Sequence, residues 1–437
     1  MITIKSAKER TSSSQKKIRK SVGTIIDEVI KNGDAAVKQY AALFDNTKRK
    51  SWRVEKSEIE SAYSALTKTE IRHIKLALKN IRTFAIAQRK TIGDLKSFFV
   101  QPGLELGHNI VPVDSTLCYV PGGSYPLYST ALMLITPAKI AGVNRIAACS
   151  PPVKNTESIN AKTLVAMDTA GADEIYCVGG VQAIAAFAYG TKQILPVDMI
   201  VGPGNAYVAE AKRQCYGQVG IDFPAGPSEV LIIADTAANP NFVAADILAQ
   251  CEHDKNAQAI LLCDCKDFAK KIIDCVEVQL KSLSTACIAG SSWRDYGAVY
   301  VYSNIDEACD FANKRASEHV ELQCKNNNAI EKKLKNYGSL FIGSYSAEVF
   351  GDYASGPNHT LPTMGASRYS GGLWVGSFLK TLCRQCASKE AAADIAPLAE
   401  ALALGEGLAG HANAAALRKN NTGHVLHDYT YQINYAI

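Results

Sequence analysis

The sequence predicts an α/β protein built on parallel sheets, and three observations predict it. From Val111 onward, short apolar runs alternate with helix-like stretches. Several of those runs end in glycine, and the segments flanking the series carry helical periodicity instead. Parallel strands need a crossover between them, usually a helix, so this rhythm is the one that β-α units produce. With 437 residues, 47% hydrophobic and 20% charged, the chain has globular composition and length for two or three domains.

The N-terminal stretch "MITIKSAKERTSSSQKKIRK" is basic and Ser-rich and has no apolar core of a secretory signal, so a solvated first segment is expected. Residues 21–95 read as mostly helical. Val22, Ile25, Ile26, Val29 and Ile30 keep one face before "NGD", and "EIRHIKLALKNIRTFAIAQ" repeats the pattern. The strand candidates follow as "RIAACSPP", "EIYCVGG", "MIVGPGN", "VLIIADT", "AILLCDC", "AVYVYS", "HVELQC" and "SLFIG". The Gly- and Pro-rich "GIDFPAGPSEV" at 220–230 interrupts the series near its middle and favours two α/β units over one large sheet. After "GGLWVGSFLK" the chain turns Ala-rich through "EAAADIAPLAEALALGEGLAGHANAAALRKN", a separate helical arm with no strand expected before the last few residues.

A net charge of +5 from 47 basic and 42 acidic residues gives no strong field for nucleic acid or an anionic membrane, which leaves small-molecule chemistry. Thirteen scattered cysteines without an apolar leader point to free thiols in a reducing cytoplasm. Cys263-x-Cys265 and Cys383-x-x-Cys386 each lack the second pair of a structural zinc site. The longest apolar stretch, "LYSTALMLITPAKIAGV", contains Pro137 and Lys139, so a soluble protein without a membrane span is expected.

Three strand ends carry paired glycines: Gly122 and Gly123, Gly179 and Gly180, and Gly202 and Gly204. Open parallel sheets bind ligands beyond their carboxyl ends, and helix N-terminal amides suit phosphate. None of the three matches G-x-G-x-x-G; together they point to a nucleotide or a dinucleotide without choosing between them.

The eight histidines differ in context. His73, His108, His424 and His427 lie in polar or lysine-rich surroundings and read as surface or packing residues. His253 follows Gln250 by three, so an imidazole nitrogen and an amide oxygen share a helix face, as a ligand pair or as an ordinary helix end. "FGDYASGPNH" adds Asp352 and His359, and "GEGLAGH" adds Glu406 and His411, a mixed nitrogen and oxygen set that suits Zn²⁺ or Mn²⁺. In "ASEHVELQC", Glu318 and His319 could activate water and carry protons, or be a surface Glu beside a half-buried His. Ser228 lacks a G-x-S-x-G elbow, which disfavours acyl transfer.

Eight blocks, "YVPGGSYPLYSTALMLITPAKIAGV", "VGGVQAIAAFAYGT", "VGPGNAYVAEAKRQ", "DFPAGPSEVLIIAD", "DILAQCEHD", "SEHVEL", "GDYASGPNHTLPT" and "EGLAGHANAAALR", resemble, in order, the signature blocks of the histidinol dehydrogenase family. The resemblance runs from about residue 20 to about 418. It implies two incomplete Rossmann-like domains with small helical segments, in a homodimer whose C-terminal arm reaches the partner's active site. On this chain that means an N-terminal segment 1–20, a first domain 21–119 with 229–373, an inserted second domain 120–228, and an arm 374–437. It further implies oxidation of L-histidinol through the aldehyde to L-histidine with two NAD⁺ and one zinc per subunit. By position, the zinc ligands fall on Gln250, His253, Asp352 and His411, the last from the other subunit, and the proton-transfer pair on Glu318 and His319. Tyr119, Gln182 and Asn205 match NAD contacts. Ser228, Gln250, His253, His319, Asp352, His359, Glu406 and His411 match the substrate shell.

Three departures stand out: Ser317 where a proline often precedes the Glu-His pair, Cys251 at a usually small position, and the Trp374 segment "RYSGGLWVGSFLKT". Ser317 and the Trp374 segment look more like a branch that oxidises other primary alcohols, including sulfonate-bearing diols. "GDYASGPNH" and Glu406 keep the pattern of the histidine-making branch, and histidinol is the favoured substrate. A third reading, an inactive metal-binding scaffold, sits poorly with the retention of every presumed ligand and proton-transfer residue.

Overall fold

The computed structural model describes residues 1–8, 13–122, 125–223 and 226–419. In chain order the strands are β1 (Ile2–Lys5), β2 (Leu95–Gln101), β3 (Leu104–Pro112), β4 (Ser115–Tyr119), β5 (Arg145–Ser150), β6 (Glu174–Cys177), β7 (Met199–Val201), β8 (Gly220–Ile221), β9 (Glu229–Ala234), β10 (Gln258–Cys263), β11 (Ala298–Val301), β12 (His319–Gln323), β13 (Ser339–Ile342) and β14 (Leu379–Ala387). The chain divides into two units, one of Met1–Lys90 and Pro112–Phe378, the other of Thr91–Val111 and the chain from Leu379.

The first unit holds two parallel sheets with helices around them, so the α/β class is observed. Five strands run in the order β6-β5-β4-β7-β8, all pairs parallel. The series leaves β4 toward β5 and β6, then returns to its other side at β7, which puts a switch point between β4 and β7. All five β4 side chains are buried, as in a strand covered on both faces. Six strands form the second sheet in the order β1-β11-β10-β9-β12-β13; β9 to β13 pair in parallel and β1 adds antiparallel to the edge. Its switch point lies between β9 and β12.

All eight strand candidates are strands, and the break at 220–230 does separate the sheets. Three expectations need correction. β4 belongs to the five-stranded sheet, which therefore starts at Ser115 and not after 119. The leading helix Ser13–Asn32, assigned from sequence to the first domain, packs Val22, Ile25, Ile26 and Val29 into the core of the five-stranded sheet with Leu117 and Phe187. Periodicity shows that a helix has an apolar face, not which sheet receives it. The N-terminal segment is not wholly solvated either: β1 satisfies the open edge of β11, and Lys5 Nζ donates to the Gly297 carbonyl at 2.6 Å. Residues 9–12 of that segment, and Gly123, His424, His427 and the expected final strand, lie outside the described residues.

The second unit contains the three-stranded sheet β14-β3-β2 and the helices Lys389–Gly405 and Ala409–Lys419. The arm thus starts at 379 instead of 374 and opens with a strand where none was expected. Nearly all of β14 is exposed, so it lacks the half-buried alternation by which strands are read. No helix among the described residues is long and apolar enough to cross a membrane.

Candidate active site

Three short elements of the first unit bring the polar residues together. The helix Pro240–Cys251 starts cleanly, with Pro240 in its first turn and the Asn239 side chain accepting from the Asn241 N–H at 3.0 Å. Its spacing puts Asp246, Gln250 and, two residues past the end, His253 on one side. β12 presents His319, Glu321 and Gln323 alternately on one face. The helix Glu348–Tyr353 carries Glu348 and Asp352 one turn apart.

Where these elements meet, His319 Nδ1 lies 3.3 Å from Glu348 Oε1 and 3.9 Å from Glu318 Oε2, and Nε2 lies 3.8 Å from Asp352 Oδ1. His319 Nε2 is buried without a hydrogen-bond partner. Glu318 sits just before β12 and accepts the Glu229 N–H at 2.9 Å, so both members of the Glu-His pair reach one pocket. The Gln250 amide is satisfied in one orientation: with Nε2 toward Glu348 it donates at 2.7 Å to Oε1 and 3.2 Å to Oε2. His359 is fixed at both nitrogens, Nδ1–H donating to the Asp352 carbonyl at 2.8 Å and Nε2 accepting from Thr130 at 3.2 Å.

Burial dominates the electrostatics. Desolvation, reinforced by His253 and His359, pushes His319 down to about 3, so its imidazole is neutral and able to accept a proton. Desolvation and then His253 take His359 to about 4 against the pull of the Asp352 carbonyl. Desolvation raises Asp352 to about 7. Glu318 and Glu348 stand well above the usual carboxylate range, through burial first and neighbouring carboxylates next. His253 has an open outer face, yet its inner side is packed by protein, and that desolvation lowers it.

One pocket is lined by Ser228, His253, Glu318, His319, Asp352 and His359, six of the residues matched by sequence, and no Lys or Arg is among its described lining. Gln250 stands behind it, fully buried. Glu406 and His411 belong to the second unit, where both are exposed. Side-chain donor atoms of His253, Glu348 and Asp352 lie within 4.8 Å of one another. With the Gln250 amide beside them, this nitrogen and oxygen set fits a divalent ion such as Zn²⁺. Sequence reasoning missed Glu348; its only signal was the four-residue spacing to Asp352.

Tyr119, Gln182 and Asn205 lie at the carboxyl edge of the five-stranded sheet, at the end of β4, in the first turn of the helix Gly180–Tyr189 and at the cap of the helix Ala206–Cys215. Tyr119 Oη accepts the Gly180 N–H at 3.1 Å, and Asn205 Oδ1 accepts from Tyr207 and Val208 at 3.0 and 3.1 Å. Both ends of the fully buried Gln182 amide lack a partner. Gly202 has φ +118°, and a side chain there would collide with the Tyr119 carbonyl, so only glycine lets the loop cross the end of β4. Buried Lys212 and Asp222 pin that loop: Lys212 Nζ donates to the Gly202 carbonyl at 2.7 Å and Asp222 accepts the Gly202 N–H at 2.7 Å.

Glycine-bearing strand ends therefore fall at a carboxyl edge, as the sequence implied. The Glu-His pair does not: Glu318, His319 and Ser228 stand at the amino ends of β12 and β9. Of the departures, Cys251 is buried in the core of the six-stranded sheet and Ser317 is buried with its hydroxyl unpartnered. Trp374 is partly exposed, and nothing in the structure assigns it a role.

Comparison with known proteins accords with this geometry. The family model of histidinol dehydrogenase matches residues 8–419. Histidinol dehydrogenase homolog 1 of Mesorhizobium japonicum is 44% identical over 404 residues, 92% of this chain and 80% of the relative. Histidinol dehydrogenase of Lactiplantibacillus plantarum is 44% identical over 398 residues, 91% and 92% of the two chains. The crystal structure of histidinol dehydrogenase from Elizabethkingia anophelis superposes with a TM-score of 0.87 at 35% identity, covering 95% of this chain and 97% of that one. The chain belongs to the histidinol dehydrogenase family and is an NAD-dependent oxidoreductase.

Proposed function

We propose that the protein oxidises L-histidinol through L-histidinal to L-histidine, the last steps of histidine biosynthesis, with two NAD⁺ and one bound Zn²⁺ per subunit. The observation that carries this reading is a pocket in which three imidazoles and the carboxylates Glu318 and Asp352 converge, with no Lys or Arg among the described lining residues. Such a site suits a metal ion and an amino alcohol, and offers a sulfonate no cationic side chain. Gln250, His253 and Asp352 would hold the zinc in this unit. Bound zinc supplies Lewis acidity toward the substrate, and NAD⁺ takes the hydride.

The chain's own residues then handle protons. Neutral His319 accepts the alcohol proton in the first oxidation. Glu318 removes a proton from water as it adds to the aldehyde carbon, and His319 accepts again as the hydrate is oxidised. Overall, alcohol, water and two NAD⁺ give carboxylate, two NADH and three protons. Tyr119, Gln182 and Asn205 are proposed to contact NAD; the unpartnered Gln182 amide supports this. His359, held at both nitrogens, serves as a fixed wall, and Ser228 as a polar one.

We read the two sheets as two incomplete Rossmann-like domains, and the cytoplasm as the compartment. The second unit is proposed as the arm that brings Glu406 and His411 to the partner subunit in a homodimer. Mixing inactive His411→Ala and His319→Ala proteins under subunit exchange should then restore activity; a persistently dead mixture places the site within one chain. For the substrate, purified protein with NAD⁺ and histidinol at alkaline pH should produce NADH. Silence with histidinol but a signal with a sulfonate-bearing diol would replace this reading by the other branch, and silence with every alcohol would favour an inactive scaffold.

A further inference from the structure

We propose that Glu348 is a positioning residue that orients the metal-facing amide of Gln250 and the proton-accepting imidazole of His319, without itself ligating the metal. This rests on the zinc reading above. Glu348 lies within reach of His253 and Asp352 and so could be taken for a ligand. What separates it from them is that its carboxylate is already occupied: with the Gln250 amide in its satisfied orientation, both oxygens accept from Nε2, at 2.7 and 3.2 Å.

The consequence for Gln250 is geometric. An amide has one donor end and one acceptor end. With the nitrogen turned to Glu348, the oxygen, which is the end a cation binds, is kept off that carboxylate. For His319, Glu348 Oε1 lies 3.3 Å from Nδ1 and, together with the Glu229 backbone, favours the tautomer with its proton there, which leaves the unpartnered Nε2 bare to accept. One carboxylate thus sets the orientation of a ligand and helps to set the tautomer of a base. Glu348 is itself held, since its backbone N–H donates to Glu321 Oε1 at 3.0 Å.

The test uses the full-length protein and two variants. Glu348→Gln keeps an acceptor oxygen for the Gln250 amide and His319, while Glu348→Ala removes it. Zinc affinity is measured on metal-stripped protein against a chromophoric chelator, and His319 protonation by long-range ¹H–¹⁵N spectra of histidine-labelled apo protein. Positioning predicts that Glu348→Ala weakens zinc roughly 10- to 100-fold, the usual cost of losing a group that orients a ligand, and shifts the His319 tautomer. Glu348→Gln should retain most of the zinc affinity and the tautomer. Equal weakening by both variants would make Glu348 a ligand and overturn the proposal, as would unchanged affinity and tautomer in Glu348→Ala. Those outcomes leave the zinc reading intact; wild-type protein that takes up no zinc would end both.

Discussion

Replacing His319 by Asn is expected to lower kcat for both oxidations by about 10²–10⁴-fold, the span a positioned proton acceptor contributes. Its imidazole is buried, neutral above about pH 3 and bare at Nε2, and no other described group shares those properties at this point of the pocket. Glu318→Gln should behave differently. It spares removal of the alcohol proton and slows the hydration on which the second oxidation depends, so NADH per histidinol falls and a carbonyl reagent traps the aldehyde. The Glu318 carboxyl stands well above the usual range and must be ionised to take a proton from water. The aldehyde step should therefore fade first on acidification and strengthen as pH rises. Equal slowing of both half-reactions by Glu318→Gln would remove its separate role.

The second large effect is on stability. Glu321 is buried on the face of β12 that also carries His319; burial first, then Asp246, raises it to about 8 from 4.5. Asp246 is also raised, by burial, and Gln323 donates to Asp246 at 2.7 Å and to Glu321 at 3.1 Å. These groups make a carboxylic acid that shares its proton with Asp246. A carboxyl raised in the fold binds its proton more tightly folded than unfolded, so its stabilising effect is complete below about 4.5 and disappears as pH climbs through about 8. Glu321→Gln keeps a donor for Asp246 and an acceptor for the Glu348 N–H. In metal-free protein it should add stability on the order of 1–3 kcal/mol at pH 9 and almost nothing at pH 5, read from thermal midpoints. A loss at pH 9, or the same gain at both pH values, would show that the pair does not hold a shared proton.

Legibility in the sequence followed burial. The strands at the centre of the six-stranded sheet are covered on both faces, so Val230–Ala234 and Ala259–Cys263 read as continuous apolar runs. β1, β2 and β14 were not legible, because edge and exposed strands carry mixed side chains whose pairing partners lie far along the chain. Spacing brought out Gln250 with His253, and glycine pairs brought out the carboxyl edge where Tyr119 and Asn205 stand. The amino-edge position of Glu318 and His319 was hidden, since only sheet order decides which end of β12 faces β9 and the pocket. Glu321, Glu348 and Asp246 were invisible for a simpler reason: carboxylates are ordinarily solvated, and nothing in "HVELQ" or "EVFGDY" says that these are not.

The central claim is a four-electron oxidation carried out at one zinc-dependent site, and the most direct measurement is NADH formed per histidinol consumed, with the product identified. Two NADH and L-histidine are predicted, with the activity lost on chelation and returned by Zn²⁺. No NADH from histidinol, or a single NADH with histidinal as the final product, would contradict it.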